Sequence, residues 1–140
     1  MCLLDTNVIS ETGKNKPHGG VLAWIASVPP ELLFISAMTV GEIQAGAERT
    51  RGQDDVRAGA IEAWLREMVS KTQVIAMDTE IAILWAKLMQ GRSRSLAEDT
   101  WIAATAKHHG YIVVTRNVQD FDGLGVQVMN PFLDTRSGGS

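Results

Sequence analysis

Short apolar runs without polar alternation set the first constraint on this chain. Met1 to Leu4 leads into the carboxylate Asp5, Leu32 to Ser36 follows the Pro29-Pro30 pair, and Val74 to Met77 and Tyr111 to Thr115 repeat the pattern. Val126 to Met129 offers a fifth run. A strand with one wet face alternates apolar and polar residues, whereas a strand covered on both faces is apolar throughout. Segments with helical spacing lie between the runs: Val21, Leu22, Trp24, Ile25 and Val28, then Val40 to about Ala47, then Ile61, Trp64, Leu65, Met68 and Val69, then Ile81 to Met89. Ser36 or Thr39 caps the second of these, and the prolines end the first. A further helix is marked by Ser95 and Glu98 at capping-box spacing and by Gly110 at its C-terminal stop. Strands alternating with helices predict an α/β fold, a central parallel sheet of four to five strands flanked by helices.

The 140 residues suit one domain. We expect it over residues 1–134, with residues 135–140 a flexible tail or an expression remnant. The single cysteine, Cys2, has no partner for an intrachain disulfide, and no segment reads as a secretory leader. No apolar run approaches the roughly 18 residues of a membrane span. A cytoplasmic location off the membrane is therefore expected. The formal net charge of -3 excludes a bulk-basic nucleic-acid binder, so any affinity for RNA has to come from local charge.

Parallel strands joined by right-handed crossovers bring their C-terminal ends to one edge, together with the N-termini of the helices that follow. Asp5 ends the first strand, Glu42 lies near the start of the helix after the second, and Asp99 lies in the opening turns of the helix before the fourth. Asn117, two residues past the fourth strand, reaches the same edge. Asp99 carries the most weight, because Ile102, Ala103 and Ala106 place it on the helix's apolar face. A buried lone carboxylate needs a strong partner, and carboxylates gathered together repel one another unless a divalent cation lies among them. The all-oxygen set points to Mg²⁺ or Mn²⁺. His18, His108 and His109 lack zinc-ligand spacing.

Each position also has a structural reading. Asp5 either caps the turn after it or binds metal, and Glu42 either completes a capping box with Thr39 or joins the cluster. Asn117 either shapes a turn or touches the metal or its water. Glu98 is assigned to the box with Ser95 and left out of the site. Thr6, Asn7 and Thr115 either cap turns or orient the acids. Lys14, Lys16, Arg92, Arg94 and Arg116 are either solvated surface charges or contacts for an RNA backbone. Trp24, Trp64, Trp85 and Trp101 read as packing residues rather than base-stacking platforms. A phosphatase-like second aspartate two residues after Asp5 is lacking, since Asn7 stands there, and no G-x-G-x-x-G follows a strand.

Read together, Leu3-Leu4-Asp5-Thr6-Asn7-Val8-Ile9-Ser10-Glu11, Ile35-Ser36 through Thr39-Val40-Gly41-Glu42, Asp99-Thr100-Trp101-Ile102-Ala103-Ala104-Thr105-Ala106, Val114-Thr115-Arg116-Asn117, Asp120-Phe121 and Asn130-Pro131 resemble the PIN-domain ribonucleases of the VapC/FitB toxin type over nearly the whole chain. The resemblance implies a PIN-like domain with Asp5, Glu42 and Asp99 as the acidic cluster, Mg²⁺ or Mn²⁺ as cofactor, and hydrolysis of RNA phosphodiester bonds. It also implies a homodimer neutralised by a small cognate antitoxin whose C-terminal segment fills the cleft. In such proteins a fourth acid often follows the Thr-Arg pair. Here Asn117 occupies that place and Asp120 follows three residues later, which leaves open whether one metal binds or two. Asp5 and Asp99 are the expected principal ligands, with Glu42 either a ligand or a general base. The alternatives are a PIN protein that binds antitoxin or nucleic acid without turnover, and a housekeeping RNA-processing nuclease.

Overall fold

The computed structural model describes residues 1–133, so the tail expected at 135–140 lies outside the described residues. Strands β1 (Cys2–Leu4), β2 (Leu33–Ser36), β3 (Gln73–Ile75), β4 (Ile112–Val114) and β5 (Val128–Met129) form one sheet in the order β3-β2-β1-β4-β5. All four pairings are parallel. The chain builds outward from β1 to β2 and β3, then crosses to the other side for β4 and β5. That reversal places the topological switch at the C-terminal ends of β1 and β4.

The helices are α1 (Thr6–Ile9), α2 (Gly19–Ser27), α3 (Ala37–Arg51), α4 (Asp55–Lys71), α5 (Thr79–Leu88) and α6 (Ala97–His109). Two apolar clusters cover the sheet. One joins Leu4, Ile35 and Val114 to Val8, Val21, Ile43, Leu65 and Met68. The other joins Leu3, Phe34 and Val113 to Ile102, Ala103, Ala106 and Phe121. Adjacent strand residues thus serve opposite layers, which explains why β1 and β4 show no polar alternation. Small residues on α6 are buried completely, so this helix can lie close against the sheet.

Local chemistry sets the boundaries. The Ser36 hydroxyl accepts from Met38 N (3.0 Å) and starts α3, which runs well beyond the expected Ala47. The expected capping box of Ser95 and Glu98 does not form. A 3-10 turn over Arg94–Leu96, capped by Ser93, precedes α6, and Leu96 occupies the N-cap without a side-chain bond. Ser95 Oγ instead lies 2.9 Å from Ser93 Oγ, which leaves Glu98 free.

Gly110 ends α6 in the left-handed region (φ 74°), where a Cβ crowds the backbone. No neighbouring atom lies within 4 Å of a Cβ built there, so the conformational cost can be isolated. Gly110→Ala is expected to lower unfolding free energy by about 1 kcal/mol. The urea midpoint should fall with an unchanged m-value; an unaltered midpoint would show that the turn relaxes.

Candidate active site

Asp5 is a buried carboxylate at the strand-end edge, with 4% of its surface exposed. Its backbone N–H donates to Val114 O (2.9 Å), which locks the end of β1 onto β4. Its side chain accepts from Thr115 Oγ1 (2.7 Å), Thr6 N (2.7 Å) and Asn7 Nδ2 (3.2 Å). Asp5 therefore caps α1 while one carboxylate oxygen stays tied to β4. Burial raises its pKa against the three donors, and Asp120 adds repulsion.

Glu42 enters from α3, half-buried, and accepts a 2.6 Å hydrogen bond from Thr6 Oγ1. The alternative reading of a capping box between Thr39 and Glu42 is not realised: Thr39 Oγ1 lies 3.0 Å from Thr6 Oγ1 instead. Burial, then Glu98 and Asp5, push the Glu42 carboxyl up to about 7, against the Thr6 bond. Asp99 enters from α6. Burial first, then the charges of Asp5, Asp120 and Glu98, push it up to about 6. Asp5 therefore stands close enough to both Glu42 and Asp99 for its charge to raise each of them.

Two acids that the sequence reading left out of the site are part of this group. Glu98 adds to the rise of the Glu42 pKa, and Asp120 adds to that of Asp99. Glu98 was hidden by its capping-box spacing. Asp120 is brought back to the cluster by the 3-10 turn Val118–Phe121, which has no periodic signature. Asn117 is exposed; its backbone N–H donates to Thr115 Oγ1 (3.0 Å), and no side-chain bond of Asn117 occurs among the described residues. Asn7 braces the same loop through Oδ1, which accepts from Arg116 N at 3.1 Å.

The five cations named from the sequence divide. Lys14 pairs with Glu11, an acid only 2% exposed that also accepts from His18 N (2.8 Å). Arg116 lies 3.8 Å from the same carboxylate, with its guanidinium 4.1 Å above the Phe132 ring. Arg92 departs from the expected solvent-facing role. It donates to Thr100 Oγ1 (3.0 Å) and Asp120 O (2.8 Å), and so holds the turn that carries Asp120. Lys16 and Arg94 are exposed without ion pairs among the described residues.

Among the described residues no three His, Cys, Asp or Glu side chains converge at metal-ligand spacing. The fit to a cation rests instead on donor chemistry: oxygen acids held above their ordinary pKa by burial and by neighbouring carboxylates, which suit a hard divalent ion.

These shifts have opposite consequences for stability. Glu11 is held below its ordinary range: burial opposes ionisation, but Lys14, His18 N and Arg116 outweigh it. Its contribution is present above the unfolded carboxyl pKa and is lost as pH falls through the folded one. Asp99 works the other way: its ionisation penalises the fold as pH rises from about 4 through about 6. In EDTA, Asp99→Asn is expected to be more stable than wild type at pH 7.5, by about 1 kcal/mol after solvent screening, and to converge with it near pH 4. Glu11→Gln is expected to be less stable at pH 7 and to approach wild type in acid. Thermal melts across pH check both signs.

A family model described as PIN domain matches residues 2–125. VapC ribonuclease Y4jK of Sinorhizobium fredii is 35% identical, the alignment covering 94% of this chain and 98% of the relative. Toxin FitB of Neisseria gonorrhoeae is 33% identical over 96% of this chain and all of the relative. Among solved structures, FitAcB from Neisseria gonorrhoeae superimposes with a TM-score of 0.84 at 31% identity, covering 95% of this chain and 99% of that one. DNA-bound VapBC from Salmonella typhimurium gives 0.76 at 26% identity, covering 93% and 97%.

Proposed function

The chain belongs to the PIN-domain family, and we propose that it is a divalent-metal-dependent ribonuclease, the toxin of a type II toxin–antitoxin pair. The observation that carries the chemistry is the buried Asp5 carboxylate at the ends of β1 and β4, with Glu42 and Asp99 close enough to feel its charge. Relatives named as VapC ribonuclease and as toxin, similar over almost their whole length, support RNA as substrate and the toxin role. Solved FitAB and VapBC complexes support a small antitoxin as partner. We place the activity in the cytoplasm as a homodimer; no helix among the described residues is long and apolar enough to cross a membrane.

Asp5 and Asp99 are assigned as the principal ligands for Mg²⁺ or Mn²⁺, with Asp120 beside Asp99 as the fourth acid in place of Asn117. When bound, the cation neutralises phosphate charge and makes a water more acidic. The protein's own groups do the positioning. Thr115, Asn7 and the Thr6 amide fix the direction of Asp5's lone pairs. Thr6 Oγ1 orients Glu42, which either completes the ligand set or accepts the proton of the attacking water. Hydrolysis adds that water's oxygen to phosphorus and sends a proton to the departing ribose oxygen.

Purified antitoxin-free protein is expected to cut single-stranded or structured RNA with Mg²⁺ or Mn²⁺ and to stop in EDTA. Asp5→Asn and Asp99→Asn should each lose at least about a hundredfold in rate while remaining folded. Equal cutting by wild type and both variants would remove the assignment. Thr115→Val is expected to lower the rate about tenfold and raise the metal concentration needed for half-activity, because it loosens a ligand without deleting one.

A further inference from the structure

The acidic cleft does not end at Glu42. A groove of roughly 1330 Å³ continues from Thr6 and Glu42 between the Gly13–Lys16 loop and the inner face of the α3–α4 hairpin. We propose that this groove is the track along which single-stranded RNA leaves the acidic site, with Lys16, Arg49 and Arg57 as its phosphate contacts. The assignment rests on the ribonuclease reading above.

Charge on the hairpin is sorted by face. Arg51 is surrounded by Glu48 (3.1 Å), Asp55 (3.5 Å) and Glu62 (2.7 Å), so its charge is consumed within the protein. Arg49 and Arg57 line the groove, as does Lys16 on the opposite wall, and none makes an ion pair among the described residues. In a chain with 16 acids and 13 lysines and arginines, these three exposed cations without ion pairs among the described residues outnumber Asp54, the acid that lines the groove away from Glu42, and form a local positive track. Their position matters as much as their sign, because the groove opens on the cluster where a phosphodiester would be cut.

Two glycines shape the walls. A Cβ on Gly46 would stand 3.6 Å from an Arg49 guanidinium nitrogen, so the arginine folds back over the bare helix surface toward the Glu42 end. A Cβ on Gly13 would stand 2.8 Å from the Trp64 ring, so the indole lies directly on the loop backbone. Trp64 Nε1 also donates to Thr12 Oγ1 at 3.1 Å. This contact ties the loop bearing Lys16 to α4, which bears Arg57, and fixes the spacing of the walls. Phosphate contacts of this kind position a strand without reading its bases.

The test uses full-length protein, a 5′-fluorescein single-stranded 12-mer RNA and the small phosphodiester bis(p-nitrophenyl) phosphate with Mn²⁺. Binding is measured by anisotropy in an Asp5→Asn background, against salt. Arg49→Ala and Arg57→Ala are each expected to weaken RNA binding about fivefold and to flatten the salt slope by about 0.7. Arg66→Ala, the same charge loss at an exposed site outside the groove, should change neither as much. Hydrolysis of the small phosphodiester by otherwise wild-type protein should be unaffected by the groove substitutions. Should wild type fail to cut the small diester, the catalytic reading fails by itself. RNA binding by the two arginine variants equal to that of wild type would overturn the track. So would a normal RNA affinity with selective loss of antitoxin-peptide binding, which would make the groove a protein-docking surface.

Discussion

The buried Asp5 carboxylate is the constraint around which the rest of this structure is arranged. An ionisable group at 4% exposure is tolerable only with hydrogen bonds, and it obtains them from three directions: β4 through Thr115, the first turn of α1 through the Thr6 amide, and Asn7. The β1–β4 pairing is what makes Thr115 available, since Leu4 registers with Val114 and the next residue on each strand then meets its counterpart. A parallel sheet with its switch at this point is therefore both the scaffold and the first source of ligands' orientation.

Placing further acids around that group works against the fold. Glu42 and Asp99 bind protons more tightly than free carboxyls do because ionised neighbours and burial disfavour their charge. The sequence supplies hydroxyls rather than cations to counter this: Thr6 holds Glu42, and Thr115 holds Asp5. Hydroxyl donors orient carboxylates without neutralising them, so the cluster keeps a net negative field toward the cleft. A lysine or arginine at either threonine position would relieve the repulsion and remove the reason for a divalent cation to bind. Such a site is an instance of local instability retained for chemistry.

How much of this could be read in advance depended on the range of the signal. Topology was legible because β1 and β4 are apolar at every position, β2 at all but its last, Ser36, and because α/β crossovers send strand ends to one edge. The same rule placed Asp5, Glu42 and Asp99 together before any side-chain contact was known. Short-range cap spacing misled: Ser95-x-x-Glu98 satisfies the pattern, yet the 3-10 turn at Arg94–Leu96 moves the helix start and releases Glu98 toward Glu42. Asp120 was visible as a residue but not as a neighbour of Asp99, because irregular backbone has no period to extrapolate. Arg92 was misjudged for a related reason. Its position in a basic loop suggested solvent, whereas its guanidinium ties Thr100 to the carbonyl of Asp120.

Net charge is a poor guide to this molecule because its cations have separate duties. Glu11 lies beneath the surface and holds Lys14 and approaches Arg116, while Arg116 stacks on Phe132, so these cations frame the edge by joining the loop after α1 to the segments around β4 and β5. Arg51 is neutralised three times over on the outer face of the α3–α4 hairpin. Only after these are set aside does the field at the cleft become apparent: acids at the strand ends, then Arg49, Arg57 and Lys16, without ion pairs among the described residues, along the groove leading away. A polyanion approaching a negative cluster is repelled unless part of it meets positive charge nearby, and at physiological salt that charge has to lie within roughly 8 Å to be felt. Charge in a groove that shares Glu42 with the acid cluster acts on a bound strand more directly than a distant basic face or a positive total charge would.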